Sequence, residues 1–147
     1  MLTAGPVNVL ASGQAYQLNS LGVGTPPPAN TGQILATNNI TAYYSDDRLK
    51  TRLGNIEDAL AKLMTLNGFH YKANEIAQAL GYESKTEVGL SAQEVQAILP
   101  EVVVPAPIDN QYLTIHYEKV IPLLVEAIKE QQNQIKVLQE KLGITDI

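Results

Sequence analysis

An α+β fold, built from short strands, an N-terminal helix and a long C-terminal coiled-coil helix, is predicted for this chain by three patterns. Residues 119 to 142, KVIPLLVEAIKEQQNQIKVLQEKL, carry apolar side chains at alternating spacings of three and four. Residues 49 to 66, LKTRLGNIEDALAKLMTL, repeat that period over a shorter span. The remaining stretches alternate apolar and polar residues over a few positions and are broken by Gly, Pro and Asn.

Taken in order, residues 1 to 42 lack a helical period. VNVLASGQAYQLNS alternates weakly, enough for one or two short strands. In Gly22 to Gly32, GVGTPPPANTG, the prolines Pro26, Pro27 and Pro28 fix the backbone and remove donors, so a turn or extended linker is expected. QILATNNITAYY is expected to form a strand, an Asn-rich turn and a second strand, burying Ile34, Ile40, Tyr43 and Tyr44. The segment reads as a small β appendage packed on a neighbour.

Tyr43 to Lys50, YYSDDRLK, marks the junction between this part and the periodic remainder. Four of its eight residues are charged, in a chain where 17% are. Ser45, Asp46 or Asp47 can cap a helix beginning near Leu49 by accepting from an orphan N–H of its first turn. A reaction centre is the alternative. A neutral Lys50 near Ser45 Oγ can take the hydroxyl proton and let the oxygen attack a carbonyl. That requires an amine pKa lowered from about 10.4 by desolvation or nearby positive charge. Arg48 acts in that direction, and Asp46 and Asp47 act against it.

In the first predicted helix, Leu49, Leu53, Ile56, Leu60 and Leu63 fall on one face, and Asn67-Gly68 ends it. Phe69, His70 and Tyr71 form a short strand. Asn74 caps a helix from Glu75 to Leu80, ended by Gly81. Ser91 and Glu94 make a capping box for a helix from Ala92 to Leu99 that buries Val95, Ile98 and Leu99 and stops at Pro100. Val102 to Val104 is a strand, Asp109 to Tyr112 a turn, and YLTIHY a half-exposed strand. In the last helix, Ile121, Leu124, Ile128, Gln131, Ile135, Leu138 and Leu142 form an unbroken heptad seam with one polar member. A stripe this apolar predicts self-association.

Composition narrows the function. The 147 residues suffice for one ordinary domain. A net charge of -5 and an absence of basic runs speak against nucleic-acid partners and anionic membrane surfaces. Without cysteine there are no disulfides or thiolate metal sites. His70 and His116 stand far apart in sequence, and no metal or other cofactor is expected. No apolar run reaches the roughly 20 residues of a spanning helix, and MLTAGPVNVLASG lacks the basic start of a signal peptide. With one Phe and no Trp, the core is thin enough to be completed by association.

SDDRLK, GFHY, GLSAQEVQAILPEVV and YLTIHYEKVIPLLVEAIKEQQNQIKVLQEKL occur here in that order. Together they resemble the C-terminal intramolecular chaperone auto-processing domain of phage tail fibres, tailspikes and endosialidases, over about residues 45 to 142. GTPPPANTGQILATNNITAYY looks like the end of a fibre just ahead of it. The resemblance implies a homotrimer that assists folding of the fibre in front of it and then cuts itself off through a serine–lysine dyad. Ser45 is then the nucleophile and Lys50 the base, with the cut at the Tyr44–Ser45 bond. Asp46, Asp47 and Arg48 position the turn. Residues 1 to 44 become a β-rich fibre end with a Gly/Pro linker. Residues 45 to 147 become the chaperone domain, with its coiled coil at 119 to 142. The expected partners are further copies of the chain and the upstream fibre or tailspike segment. The expected place is the host cytoplasm during phage assembly, or the virion tail if the domain is retained. A non-cleaving structural trimer at a fibre or baseplate tip is the alternative.

Overall fold

A computed structural model of the chain describes residues 8–9, 15–16, 21–23, 34–40 and 44–144. Its contacts form two compact units, Met1–Arg52 and Leu53–Ile147.

In the first unit, β1 (Asn8–Val9) pairs antiparallel with β2 (Ala15–Tyr16), and β3 (Leu21–Val23) pairs parallel with β4 (Ile34–Ala36). The short strands read from VNVLASGQAYQLNS and the first of the two read from QILATNNITAYY are therefore present; of the second, Ile40 and Tyr44 lie outside any strand and residues 41–43 are outside the described residues. The predicted linker loses Gly22 and Val23 to β3; its prolines lie outside the described residues, as does Tyr43. Burial of Ile34, Ile40 and Tyr44 is corrected: they are exposed at 66%, 69% and 65%. Ile34 lies in a strand of three residues, and Ile40 and Tyr44 lie in none.

The second unit begins with a departure from the periodicity. The helix expected over 49–66 is reduced to α1 (Ala59–Leu63). Gly54 has φ 127° and Asp58 has φ 52°, backbone that a right-handed helix does not accept. Leu53 is left 97% exposed, so the stripe holds only from Ile56 to Leu63. Asp58 makes no side-chain cap. The cap comes from the far end of the chain, where Glu130 Oε1 accepts from Ala59 N and Oε2 from Leu60 N, both at 2.8 Å.

β5 (Phe69–Tyr71) and β6 (Glu87–Gly89) form an antiparallel pair enclosing α2 (Glu75–Ala79), which Asn74 caps by accepting from Ala77 N at 3.0 Å. Gly81, at φ 101°, follows this helix as expected. α3 (Ala92–Ile98) starts at Ser91, whose Oγ accepts from Glu94 N at 3.4 Å. Only half of the capping box forms. Glu94 instead accepts from Asn67 N and Nδ2 at 3.0 and 3.1 Å, tying the segment after α1 to α3. Leu90 N donates to Tyr117 Oη at 3.0 Å. A Cβ on Gly89 would stand 2.9 Å from that oxygen and 3.2 Å from the Tyr71 ring, so the close approach requires glycine there.

β7 (Val103–Ala106) and β8 (Asp109–Ile115) form a hairpin. Its turn is Pro107-Ile108, two residues earlier than the DNQY turn read from the sequence. Asp109 already pairs with Ala106, while Leu113 pairs with Pro105. Asn110, Gln111 and Tyr112 are thus looped out as a bulge, with Asp109 Oδ1 accepting from Gln111 N at 2.9 Å.

α4 (Ile121–Leu142) matches the predicted helix except that Lys119 and Val120 lie in a 3₁₀ turn before it. Pro122 sits in the first turn, where its missing N–H costs nothing. Gly143, at φ 68°, closes the helix with its N–H on the last-turn carbonyls. No described helix is long and apolar enough to cross a membrane.

Two small clusters hold this unit. Val95, Val102, Ile115 and Val120 join α3, the 3₁₀ turn Pro100–Val102 that takes Val102 out of its expected strand, the hairpin and the 3₁₀ turn before α4. Ala59, Leu123 and Ala127 join α1 to α4. Glu130 continues the Leu123–Ala127 face by three residues, so cap and cluster act together. Glu130→Ala leaves two part-buried N–H groups without their acceptor and is expected to destabilise this unit by about 1–3 kcal/mol. Urea unfolding checks this as a lower midpoint at unchanged slope; an unaltered midpoint removes the cap from the account.

Candidate functional site

The junction turn is set by its own side chains. Asp46 is the N-cap of a 3₁₀ turn, Asp47–Leu49, and its Oδ1 accepts from Arg48 N at 2.9 Å. Of the capping candidates, Asp46 thus fills the role, for a single turn rather than a long helix. The Arg48 guanidinium closes back on the same carboxylate, Nε at 3.0 Å from Oδ1 and Nη2 at 2.7 Å from Oδ2. This side-chain contact first, then the backbone hydrogen bond from Arg48, holds Asp46 below the usual carboxylate range, and Asp46 raises Arg48 in return. A depressed carboxylate contributes to the folded turn above the ordinary range and loses that contribution only as pH falls through the lowered value. The clamp therefore stays ionised through neutral and mildly acidic conditions.

Asp47 turns to a residue the sequence reading did not single out. Arg52 donates to it through Nε, at 3.3 Å from Oδ1, and through Nη2, at 2.7 Å from Oδ2. The signal available was a second arginine five residues after the second aspartate.

Both aspartates are thus held by arginines, and Lys50 Nζ lies on the serine. Nζ of Lys50 donates to Ser45 Oγ at 3.1 Å. The chain returns between them through backbone hydrogen bonds from Leu49 N and Lys50 N to the carbonyls of Asp46 and Asp47, both 3.1 Å. The separation falls within reach of proton transfer. Tyr44 to Lys50 are exposed in the single chain.

The predicted seam is a second candidate surface. Ile121, Leu124, Ile128, Ile135, Leu138 and Leu142 are exposed, from 39% at Leu124 to 73% at Leu142, and Gln131 is exposed with them. At about 100° per residue, this stripe lies roughly a third of a turn around α4 from Leu123, Ala127 and Glu130. The helix uses one face inside its own chain and leaves another bare. His70 pairs with Val88 in the β5–β6 ladder, and His116 lies beside Glu118, with Nδ1 3.4 Å from Oε1; the structure does not bring the two histidines into a shared site.

Residues 45–104 match the family model described as chaperone of endosialidase, and the match begins at Ser45. Long tail fiber protein Gp37 of Enterobacteria phage K3 is 38% identical over 118 residues, 76% of this chain and 9% of that protein. The protein of the same name from Enterobacteria phage T2 has the same identity and coverage. That of Enterobacteria phage M1 is 37% identical over 101 residues, 67% of this chain and 39% of its own length. The chain spans less than a tenth of the first two relatives. The family match starts at the serine of the junction turn, and the tail-fibre likeness extends beyond the matched residues, so residues 45–104 belong to the chaperone-of-endosialidase family, in a chain similar to phage long tail fibre proteins.

Proposed function

We propose that residues 45–142 serve as an intramolecular trimerisation chaperone for a phage tail fibre or tailspike and release themselves by cutting the Tyr44–Ser45 bond once. The observation that carries the reading is the 3.1 Å contact between Lys50 Nζ and Ser45 Oγ. The start of the family match at Ser45 supports it, as do the tail-fibre relatives.

The chemistry follows from proximity. Neutral Lys50 takes the Ser45 hydroxyl proton, and Oγ attacks the Tyr44 carbonyl carbon. The carbon–nitrogen bond breaks as the Ser45 nitrogen receives that proton back from Lys50. An ester then joins the Tyr44 acyl group to Ser45 Oγ, beside a free Ser45 amine. Water hydrolyses the ester, giving the Tyr44 carboxylate and restoring the hydroxyl. Nucleophile and scissile carbonyl belong to adjacent residues, so no separate substrate pocket is needed.

The dyad is exposed in one chain, whereas a lysine base works in its neutral form. Assembly supplies the missing element in this reading: neighbouring chains cover Lys50, and desolvation favours the neutral amine. The exposed α4 stripe gives the parallel homotrimer its contact. Cutting is thereby tied to correct assembly, in the host cytoplasm, with the virion tail as the destination of a retained domain.

Intact-mass measurement of freshly produced chain is the test. A fragment beginning at Ser45 is expected. A wild-type chain that stays whole in its assembled state at neutral pH rejects the activity and leaves the non-cleaving structural trimer.

A further inference from the structure

We propose that Arg52 is a positioning residue for Lys50: by holding the Asp47 carboxylate it keeps that charge off the lysine amine and leaves the amine to Ser45. The proposal rests on the reading of Ser45 and Lys50 as a dyad. Its ground is the interlock of two links, each spanning five residues, across the 3₁₀ turn. Lys50 reaches back to Ser45 at 3.1 Å, and Arg52 reaches back to Asp47 at 2.7 and 3.3 Å.

The charged groups around Lys50 in this turn are Asp46, Asp47, Arg48 and Arg52. The two aspartates are not held alike. Asp46 takes both a backbone N–H and the Arg48 guanidinium, and its charge already interacts with Lys50. The Asp47 carboxylate is held by the Arg52 fork, a geometry that a lysine cannot reproduce. Without the fork, Asp47 lies three residues before Lys50 and is free to pair with it. Such a pair favours the ammonium, which cannot accept the serine proton. The Arg52 and Asp47 side chains are 79% and 65% exposed, so the effect is that of a surface pair, about two- to fivefold.

The test compares the wild-type chain, Arg52→Gln, and Arg52→Gln combined with Asp47→Asn. Two quantities are followed against pH: the rate of the cut by intact mass, and the acylation of Lys50 by an N-hydroxysuccinimide ester by peptide mass. Arg52→Gln is expected to slow acylation in the single chain by about two- to fivefold near neutral pH and the cut, made where assembly covers Lys50, by at least that, and to move both profiles to higher pH. Adding Asp47→Asn is expected to restore both, because the competing carboxylate is gone. A slower cut with unmoved pH profiles, or a double variant that is not restored, overturns the proposal and makes Arg52 a structural brace. A wild-type chain that never cuts rejects the dyad reading alone; Lys50 acylation then still decides, and equal acylation in wild type and Arg52→Gln rejects the role of Arg52.

Discussion

Ser45→Ala is expected to leave the chain whole at all its 147 residues, with no fragment beginning at position 45, under conditions where the wild type divides. The substitution removes the attacking oxygen and nothing else that holds the turn. The Asp46–Arg48 and Asp47–Arg52 pairs and the backbone hydrogen bonds of the 3₁₀ turn do not involve Ser45 Oγ. Loss of a nucleophile costs orders of magnitude in rate, so the result is all or nothing on the scale of a mass spectrum. Lys50→Ala is expected to block the cut as well while leaving assembly largely unchanged, since Lys50 lies outside α4. Time courses of intact mass at neutral pH check both. A Lys50→Ala chain cutting at the wild-type rate shows that another group is the base.

The second large effect concerns α4. Replacing Ile128 and Ile135 together by Asp is expected to dissociate the assembly and abolish the cut. Both isoleucines are exposed in the single chain, at 63% and 42%. Neither belongs to the Leu123–Ala127 cluster, so the chain's own fold should survive the change. In a parallel bundle each aspartate would instead meet its symmetry mates in a buried layer, where unpaired like charges cost several kcal/mol. Ile at one heptad position with Leu at the other is the usual pattern of parallel dimers. The expectation of three chains rests on the family likeness and on Gln131, whose amide can hydrogen-bond around a three-fold layer. Light scattering beside intact mass tests both parts. A wild-type mass of one or two chains rejects the trimer. A dissociated variant that still cuts at the normal rate rejects the coupling between assembly and chemistry.

Much of this unit was legible because the deciding interactions are local. Asn74 and Ser91 cap their helices through N–H groups three residues on, and Gly81 ends α2 by its own backbone angle. Such features need only neighbours in sequence. The first helix was misread because periodicity reports where apolar residues would fall on a helix, not whether the backbone permits one. Leu49 and Leu53 keep the spacing, but Gly54 and Asp58 break the backbone. The partners of Glu94 and Glu130 were invisible for a different reason. Glu94 had a good local partner in the capping box and took Asn67 instead, while Glu130 stood among exposed polar residues of a helix and gave no sign of its target. In the junction turn, Ser45, Asp46, Asp47, Arg48 and Lys50 were all readable as a group. Arg52 continues the apparent helical run, so nothing in the sequence sets it apart from the helix that the stripe implies.

The cap on α1 also fixes an order of events. Its donors are Ala59 and Leu60 and its acceptor is Glu130, so 70 to 71 residues separate the two ends of these bonds. Closing a loop of that length costs chain entropy that only the completed contacts return. A ribosome delivers the chain from its N-terminus, and the residue that closes this unit emerges 70 to 71 residues after the helix it caps. The helix next to the junction therefore stays uncapped while the residues between it and α4 are made and acquires its acceptor only when the first half of α4 has formed. The segment that begins the domain waits on the segment that ends it, and upstream residues have left the ribosome before the unit that follows them can close.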